Sequence, residues 1–411
     1  MNINISVENN LLTSEWYRIW GEYDSDTLGM AVAVDSFSNV YLAGYKVMAG
    51  VEDDDMVLVK YDENGIEQWN RSWGGNASDR CCGLALDLSG NILLVGSTES
   101  FGAGDEDIVL VKYNRSGTLQ WNTTWGGGGF DRCYGGSVDS SENMYLVGVT
   151  DSFDLGGGDI ALVKYDKNGE QQWNRTWGGI EHDAGRGITI DSLGNIYLVG
   201  QTESYGAGDH DIILVKYDEN GLQQWNRTWG GISQDIGDDV VVDQSGNVYL
   251  VGQTWSFGPG QADIILVKYD LNGIQQWNRT WGGGNQDYGK GAAVDSSGNV
   301  YIAGETESLG AGGYDMVLVK YDANGLEHCY CTWGGADYDS GHGIAVNSSD
   351  IVYLAGYTRN FGTGRNNMVL VKFSPYIAST GIPSYNIFII IGILSISSLF
   401  LIKKITVRKS S

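Results

Sequence analysis

"GITIDSLGNIYLVGQTESYGAGDHDIILVKYDENGLQQWNRTW", residues 187–229, contains one complete structural unit. It divides at turn residues into four runs. "GITID" ends at the turn "SLGN", and "NIYLVGQT" leads to a glycine-rich loop; "DIILVKY" turns through "DENG", and "LQQWNRTW" closes the unit. β-Branched and aromatic runs separated by Asn-Gly and Ser-Gly-type turns are the strongest short hairpin signal, so the stretch reads as four strands.

The unit recurs along the chain. Its second tryptophan falls at Trp20, Trp73, Trp125, Trp177, Trp229, Trp281 and Trp333, spaced by 53 residues once and by 52 five times. Four strands per period of about 40–50 residues indicate a β-propeller. Residue sizes agree: first strands such as "GITID" and "GAAVD" are small, whereas last strands carry two tryptophans. Strands near a propeller axis are crowded and the gaps between blades widen outward, so the tryptophans are expected to fill the outer gaps.

The ends complete the count. A seventh set of first, second and third strands, ending in "MVLVKF" (368–373), has no fourth strand after it, while an orphan fourth strand, "EWYRIW" (15–20), precedes everything else. Placed together they close the ring and remove exposed sheet edges. The expected fold is all-β: a seven-bladed β-propeller of four-stranded blades over 15–373, closed by its N-terminal strand, after a short segment 1–14.

The pattern "AVDSSGNVYIAGETES" (293–308), with its D-S-x-G-N-x-Y-x-x-G core, resembles the seven-bladed β-propeller repeat of bacterial and archaeal surface proteins. The resemblance covers roughly 15–373. It implies an extracytoplasmic scaffold or binding module and supplies no catalytic residues. "HCYCTW" (328–333) departs from the usual "QQWNRTW" and leaves the outer strand of the sixth blade unexplained by the pattern.

After the propeller and a linker (374–386) comes "IFIIIGILSISSLFLI" (387–402), sixteen apolar or small residues without a charge, followed by the basic tail 403–411 with Lys403, Lys404, Arg408 and Lys409. As a helix it is short for a ~30 Å hydrocarbon core but workable with snorkelling lysines. The basic flank places the C-terminus in the cytoplasm and the propeller outside. The segment "GIPSYNIF" resembles the C-terminal anchors of archaeal surface proteins. "MNINISVENNLLTSEW" has neither a basic start nor an apolar run, so a leader is expected to be missing from the start as written. Asn70, Asn122, Asn174, Asn226 and Asn278 recur as N-x-S/T sequons on outer strands and are candidate glycan sites.

Composition excludes some functions. With 51 Asp+Glu against 25 Lys+Arg, the surface repels phosphate backbones, so no nucleic acid partner is expected. The five cysteines lack zinc-ligand spacing and read as buried thiols; no cofactor is expected.

Two loop sets share one face of the propeller, and each carries a ring of aspartates. One is Asp26, Asp79, Asp131, Asp183, Asp235, Asp287 and Asp339; the other is Asp55, Asp107, Asp159, Asp211, Asp263 and Asp315, broken by Asn367. Calcium ligation is one reading. Turn support is the stronger one, because a residue present in every blade belongs to the frame. Lysines ending the third strands (Lys60 to Lys372) are expected to pair with aspartates ending the first strands, such as Asp35 and Asp87.

Function is expected where the repeat breaks. Trp255 replaces the acids Glu99, Asp151, Glu203 and Glu307, while His182 and His210 belong to the neighbouring fourth blade on the same face. A tryptophan beside two histidines suits stacking on a sugar or holding a metal; ordinary loop variation is the plainer alternative. The histidines have no serine or cysteine partner at a recognisable motif. The expectation is therefore a monomeric, membrane-anchored, single-pass surface module that binds a glycan or a surface protein. The alternative is an extracellular polysaccharide-cleaving propeller using loop carboxylates and His182 or His210. Charged side chains converging in one pocket would favour the enzyme, and an even ring of them the binding module.

Overall fold

The computed structural model describes residues 7–8, 12–48, 50, 53–153 and 156–375. Seven antiparallel sheets form, one per repeat. In the fourth, the strands Asp183–Ile190, Ile196–Thr202, Asp211–Tyr217 and Gln223–Trp229 follow in chain order from the axis to the rim. The seven first strands touch one another in sequence, and the seventh touches the first, so the ring is closed. The seventh blade is composite: Leu12–Trp20 lies against Asn367–Pro375, with Trp20 opposite Met368 and Trp16 opposite Lys372.

Every first strand bulges at one residue. In the fourth blade the pairing slips between Gly185 and Gly187, leaving Arg186 unpaired. A glycine in the second strand makes room for this: a Cβ on Gly200 would strike the Ala184 carbonyl oxygen across the strand pair. Crowding at the axis explains the glycine or alanine that follows six of the seven bulges, Asp239 being the exception. A Cβ on Gly187 would lie 2.6 Å from the Asp239 Cα of the next blade.

The outer gaps are filled by the tryptophans. Trp225 and Trp229 pack with Val199 and Leu214 of their own blade and with Val240, Val248 and Ile265 of the next. Trp229 also lies 5.2 Å from Phe257, and the Nε of Arg227, between the two tryptophans in sequence, donates to the Gly273 carbonyl at 2.7 Å, again in the next blade. The last seam joins Val32, Val40 and Val57 to Tyr353, Ala355 and Leu370.

The sixth blade's unusual outer strand has a local cause. Val7–Glu8 pairs with it as a fifth strand, opposite Cys331 and Tyr330. Leu12, 2% exposed, then packs with Cys329, Cys331 and Phe373. Cys329 stands where other blades carry a tryptophan, and the smaller side chain leaves room for this crossing segment.

Two expectations need correction. Asp26 does not belong to the first aspartate ring; Thr27, fully buried, takes that position and donates to the Trp20 carbonyl. The lysine–aspartate ring is also not general. Lys112 pairs with Asp87 at 2.9 Å, but Lys164, Lys216 and Lys268 reach backbone carbonyls of the next blade. The matching aspartates instead accept from their own turns and from a tyrosine, as Asp191 does from Leu193 N, Asn195 and Tyr197 Oη. The apolar stretch 387–402 lies outside the described residues. Among those residues no helix is long and apolar enough to cross a membrane.

Candidate functional site

The bulged residues are Met30, Cys82, Tyr134, Arg186, Asp238, Lys290 and His342, one per blade and each 52 residues from the last. A bulge re-aims a side chain out of the regular pleat. Here all seven are aimed at the propeller axis, where with Gln253 and Tyr288 they line a cavity of about 460 Å³. In a chain that repeats itself almost everywhere, this position holds seven different side chains.

Charge is concentrated on one side of the cavity. Arg186 Nη1 lies 3.1 Å from Asp238 Oδ1, and Arg186 Nη2 donates to Gln201 Oε1 at 3.1 Å. Lys290 Nζ lies 2.9 Å from Glu305 Oε1 and donates to Ser340 Oγ at 3.1 Å. Burial pushes the Asp238 carboxyl up, against the pull of Arg186 and Lys290. Burial, with help from Lys290, holds the His342 imidazole well below its usual value and therefore neutral. Arg186 Nε, Asp238 Oδ2 and Gln253 Oε1 have no hydrogen-bond partner among the described residues.

The rim on the same face is divided into sectors. Over the first three blades it carries the ion pairs Arg80–Asp54 and Arg132–Glu106, each at 2.6 Å. Over the fifth to seventh blades it carries aromatic rings in series. Trp255 is 5.8 Å from Tyr288, Tyr288 stacks on Tyr314 at 6.0 Å, and Tyr314 meets Tyr338 at 5.1 Å. Tyr338 then stacks on Tyr357 at 5.9 Å, and Tyr357 on His342 at 5.5 Å. Gln286 accepts from both Tyr288 and Tyr314 hydroxyls, and Glu305 from Tyr338 at 2.8 Å.

The sequence-derived candidates fall into separate groups. Trp255 is half-buried and begins the aromatic series beside Tyr288. His182 and His210 meet each other's environment at Glu203: His210 Nε2 is 2.8 Å from Glu203 Oε1 and His182 Nδ1 is 3.9 Å from it. Asn70, Asn122, Asn174, Asn226 and Asn278 are all exposed on outer strands. The aspartate rings are occupied by the frame. Asp79 accepts from Gly75 N and Ser100 Oγ, both at 2.7 Å, and from Thr98 Oγ1; Asp107 accepts from Ala103 N and Gly104 N. Cys82, read as buried, is only partly buried, because the bulge turns it toward the cavity. The bulged residues were missed. Aligning the seven copies at 52-residue steps and looking for the most varied position would have revealed them.

Comparison with known proteins agrees with the architecture. Residues 178–206 and 275–310 match the family model described as SBBP, Beta-propeller repeat. A regulatory protein, FlaEY, of Caulobacter vibrioides is 28% identical over 195 residues, covering 39% of this chain and 20% of that protein. An uncharacterized WD repeat-containing protein of Acanthamoeba polyphaga mimivirus is 22% identical over 67% of this chain and 22% of its own length. The chain thus spans about a fifth of the length of these curated relatives. Among solved structures, the Neurospora crassa Pan2 WD40 domain superposes with a TM-score of 0.56 at 9% identity, covering 89% of this chain and 96% of that one. A virginiamycin B lyase from Staphylococcus aureus superposes with a TM-score of 0.50 at 10% identity, covering 87% and 98%. At such identities the likeness concerns the fold, which serves a lyase as well as a WD40 domain. The repeat match concerns two stretches of the chain, and the seven blades show the β-propeller fold.

Proposed function

We propose that this chain is a binding module held at the outer surface of a membrane, with its ligand, a glycan or a partner protein, seated on the loop face at the mouth of the axial cavity. The observation that carries this reading is the ring of seven different bulged side chains within an otherwise repeated frame. Repeated residues serve every blade alike, whereas a ligand on the axis meets all seven blades at once and needs each to offer something different. The uncharged stretch 387–402 with its basic tail supports anchoring, and the exposed sequon asparagines support an outside location.

A specific observation favours the enzyme as a second reading: Asp238, Lys290 and His342 converge on one cavity, with Glu305 bound to Lys290. Binding remains the better account, because each carboxylate there has a cationic neighbour, Arg186 for Asp238 and Lys290 for Glu305. The test is incubation of the full chain with soluble oligosaccharides followed by chromatography. Intact sugars are expected; shortened ones would contradict the binding reading in favour of the enzyme. Protease added to intact cells should digest the propeller from outside, and complete protection would contradict surface display.

A further inference from the structure

At six of the seven seams between blades, two aspartates from adjacent blades face each other, from Asp55 and Asp79 at the first seam to Asp315 and Asp339 at the sixth. One begins or nearly begins a third strand, and the other begins the first strand of the next blade. The glycine after each second tryptophan, such as Gly74 or Gly334, leaves no side chain between them. At the seventh seam Asn367 and Thr27 hold the same places beside Gly21, so that pair is uncharged.

The sixth seam lies under the aromatic series. Asp315 and Asp339 are buried, and a Cβ on Gly334 would strike Asp315 Oδ1 and lie 2.6 Å from Asp339 Oδ2, so the two oxygens border one small space. Asp339 Oδ2 accepts from Gly335 N at 2.8 Å and Asn360 Nδ2 at 2.5 Å, which favours its ionised form. Asp315 Oδ2 accepts from Ala311 N at 2.8 Å, while its Oδ1 is turned to Asp339. The cations of this sector are engaged elsewhere: Lys290 pairs with Glu305 at 2.9 Å, and Arg359 lies over the Tyr338 ring and donates to Asn366 Oδ1 at 2.8 Å. The other charges around the pair are acidic, Asp337 acting on Asp339, and Glu305 and Glu307 on Tyr314. Burial, with Asp339 adding to it, pushes the Asp315 carboxyl up to about 6 from an ordinary 3.8, and burial raises Asp339 as well. Tyr314 and Tyr338 immediately precede these aspartates in the chain. Their rings meet at 5.1 Å, and Asp339 N donates to the Tyr314 carbonyl at 2.7 Å across the seam.

We propose that the Asp315–Asp339 pair is a proton-operated latch: one proton, carried on Asp315 Oδ1 and donated to Asp339 Oδ2, ties the sixth blade to the seventh and holds Tyr314 and Tyr338 together at the rim. Its loss sets two negative charges against each other across the seam. Between about 4 and 6 the folded chain keeps a proton that the unfolded chain has lost, so the stabilisation is complete in acid and disappears as pH rises through about 6. The latch is closed in mild acid and loosened at neutral pH, whatever ligand the loop face takes. The test compares the full chain with its Asp315→Asn variant, whose amide makes this pair neutral in charge, as at the seventh seam. Measured against the parent, the variant's melting temperature should stand about 2 °C higher at pH 8 than at pH 5. The parent's near-ultraviolet circular dichroism should change over the same window, and the variant's should change less. Burial pushes the Tyr314 and Tyr338 hydroxyls above their ordinary value, so their own ionisation does not contribute. A melting difference that is the same at both pH values, or that moves the other way, overturns the latch. If the variant does not fold, hydrogen exchange of the parent decides. Protection of the Asp339 N–H, corrected for the chemical rate, should fall about threefold or more from pH 5 to pH 8 relative to the Thr27 N–H, which makes the matching bond to the Asn366 carbonyl at the uncharged seam. Equal changes at the two seams would overturn it.

Discussion

Arg186 and Asp238 stand at the same position of adjacent repeats, 52 residues apart, and form an ion pair with each other at 3.1 Å. A strictly repeated residue would face a copy of itself across this seam, so such a pair exists only because the two copies have diverged. Removing Arg186 leaves Asp238 without its nearest cation. Arg186→Met should cost about 1–2 kcal/mol at pH 8, since it leaves a half-buried carboxylate without its hydrogen-bonded cation. Burial already raises the Asp238 carboxyl, and losing Arg186 raises it further. The deficit should therefore shrink as pH falls and Asp238 takes up a proton. Denaturant melts of the variant and the parent chain at pH 5 and pH 8 check this; an equal deficit at both would contradict it.

Asp239, next to it, bridges two blades through the Val240 and Ala292 backbone N–H groups, both at 2.8 Å. Burial pushes its carboxyl up to about 7 from an ordinary 3.8. Between those values the folded chain holds a proton that the unfolded chain has lost, so this group's contribution to stability falls as pH rises from about 4 to 7. Asp239→Asn should remove that slope. Melting temperatures across the window would show it, and parallel curves for variant and parent would contradict it.

Axial crowding is testable at Gly291, where a Cβ would collide with the His342 carbonyl oxygen of the next blade. Gly291→Ala should cost about 1–3 kcal/mol through overpacking. Gly284→Ala, with open space around the added carbon, should stay within about 0.5 kcal/mol.

Ring closure depends on Leu12–Trp20 covering Asn367–Pro375. Deleting residues 1–20 should expose that strand's edge, lower the melting temperature and produce aggregates on a sizing column with light scattering. A monomer of unchanged stability would contradict the composite blade.

The frame was legible in the sequence for a physical reason. Turn glycines, alternating runs and paired tryptophans are local signals, repeated often enough for errors to cancel, and the missing last strand matched the orphan at the start. The site was not. The bulge at Arg186 is set by pairing between two strands and by Gly200 opposite it, so nothing local marks residue 186 as facing the axis. Trp255 was visible as a break in the pattern, yet its neighbour Tyr288 comes from the next blade. Asp26 was misread because its spacing of 53 matched the Trp20–Trp73 interval, while the chain realigns within that loop and puts Thr27 in place.

Repeated residues form the frame of the propeller, and divergent ones form its site. Trp173→Ala and Tyr288→Ala, compared side by side, separate the two roles. Trp173 packs in the seam between the third and fourth blades, so its loss should cost about 3 kcal/mol in a denaturant melt. Tyr288, half-buried at the cavity rim, should cost less than about 1 kcal/mol while weakening retention on an oligosaccharide array at least tenfold. The opposite result, a Tyr288 variant as unstable as the Trp173 variant with its retention unchanged, would contradict the division between frame and site.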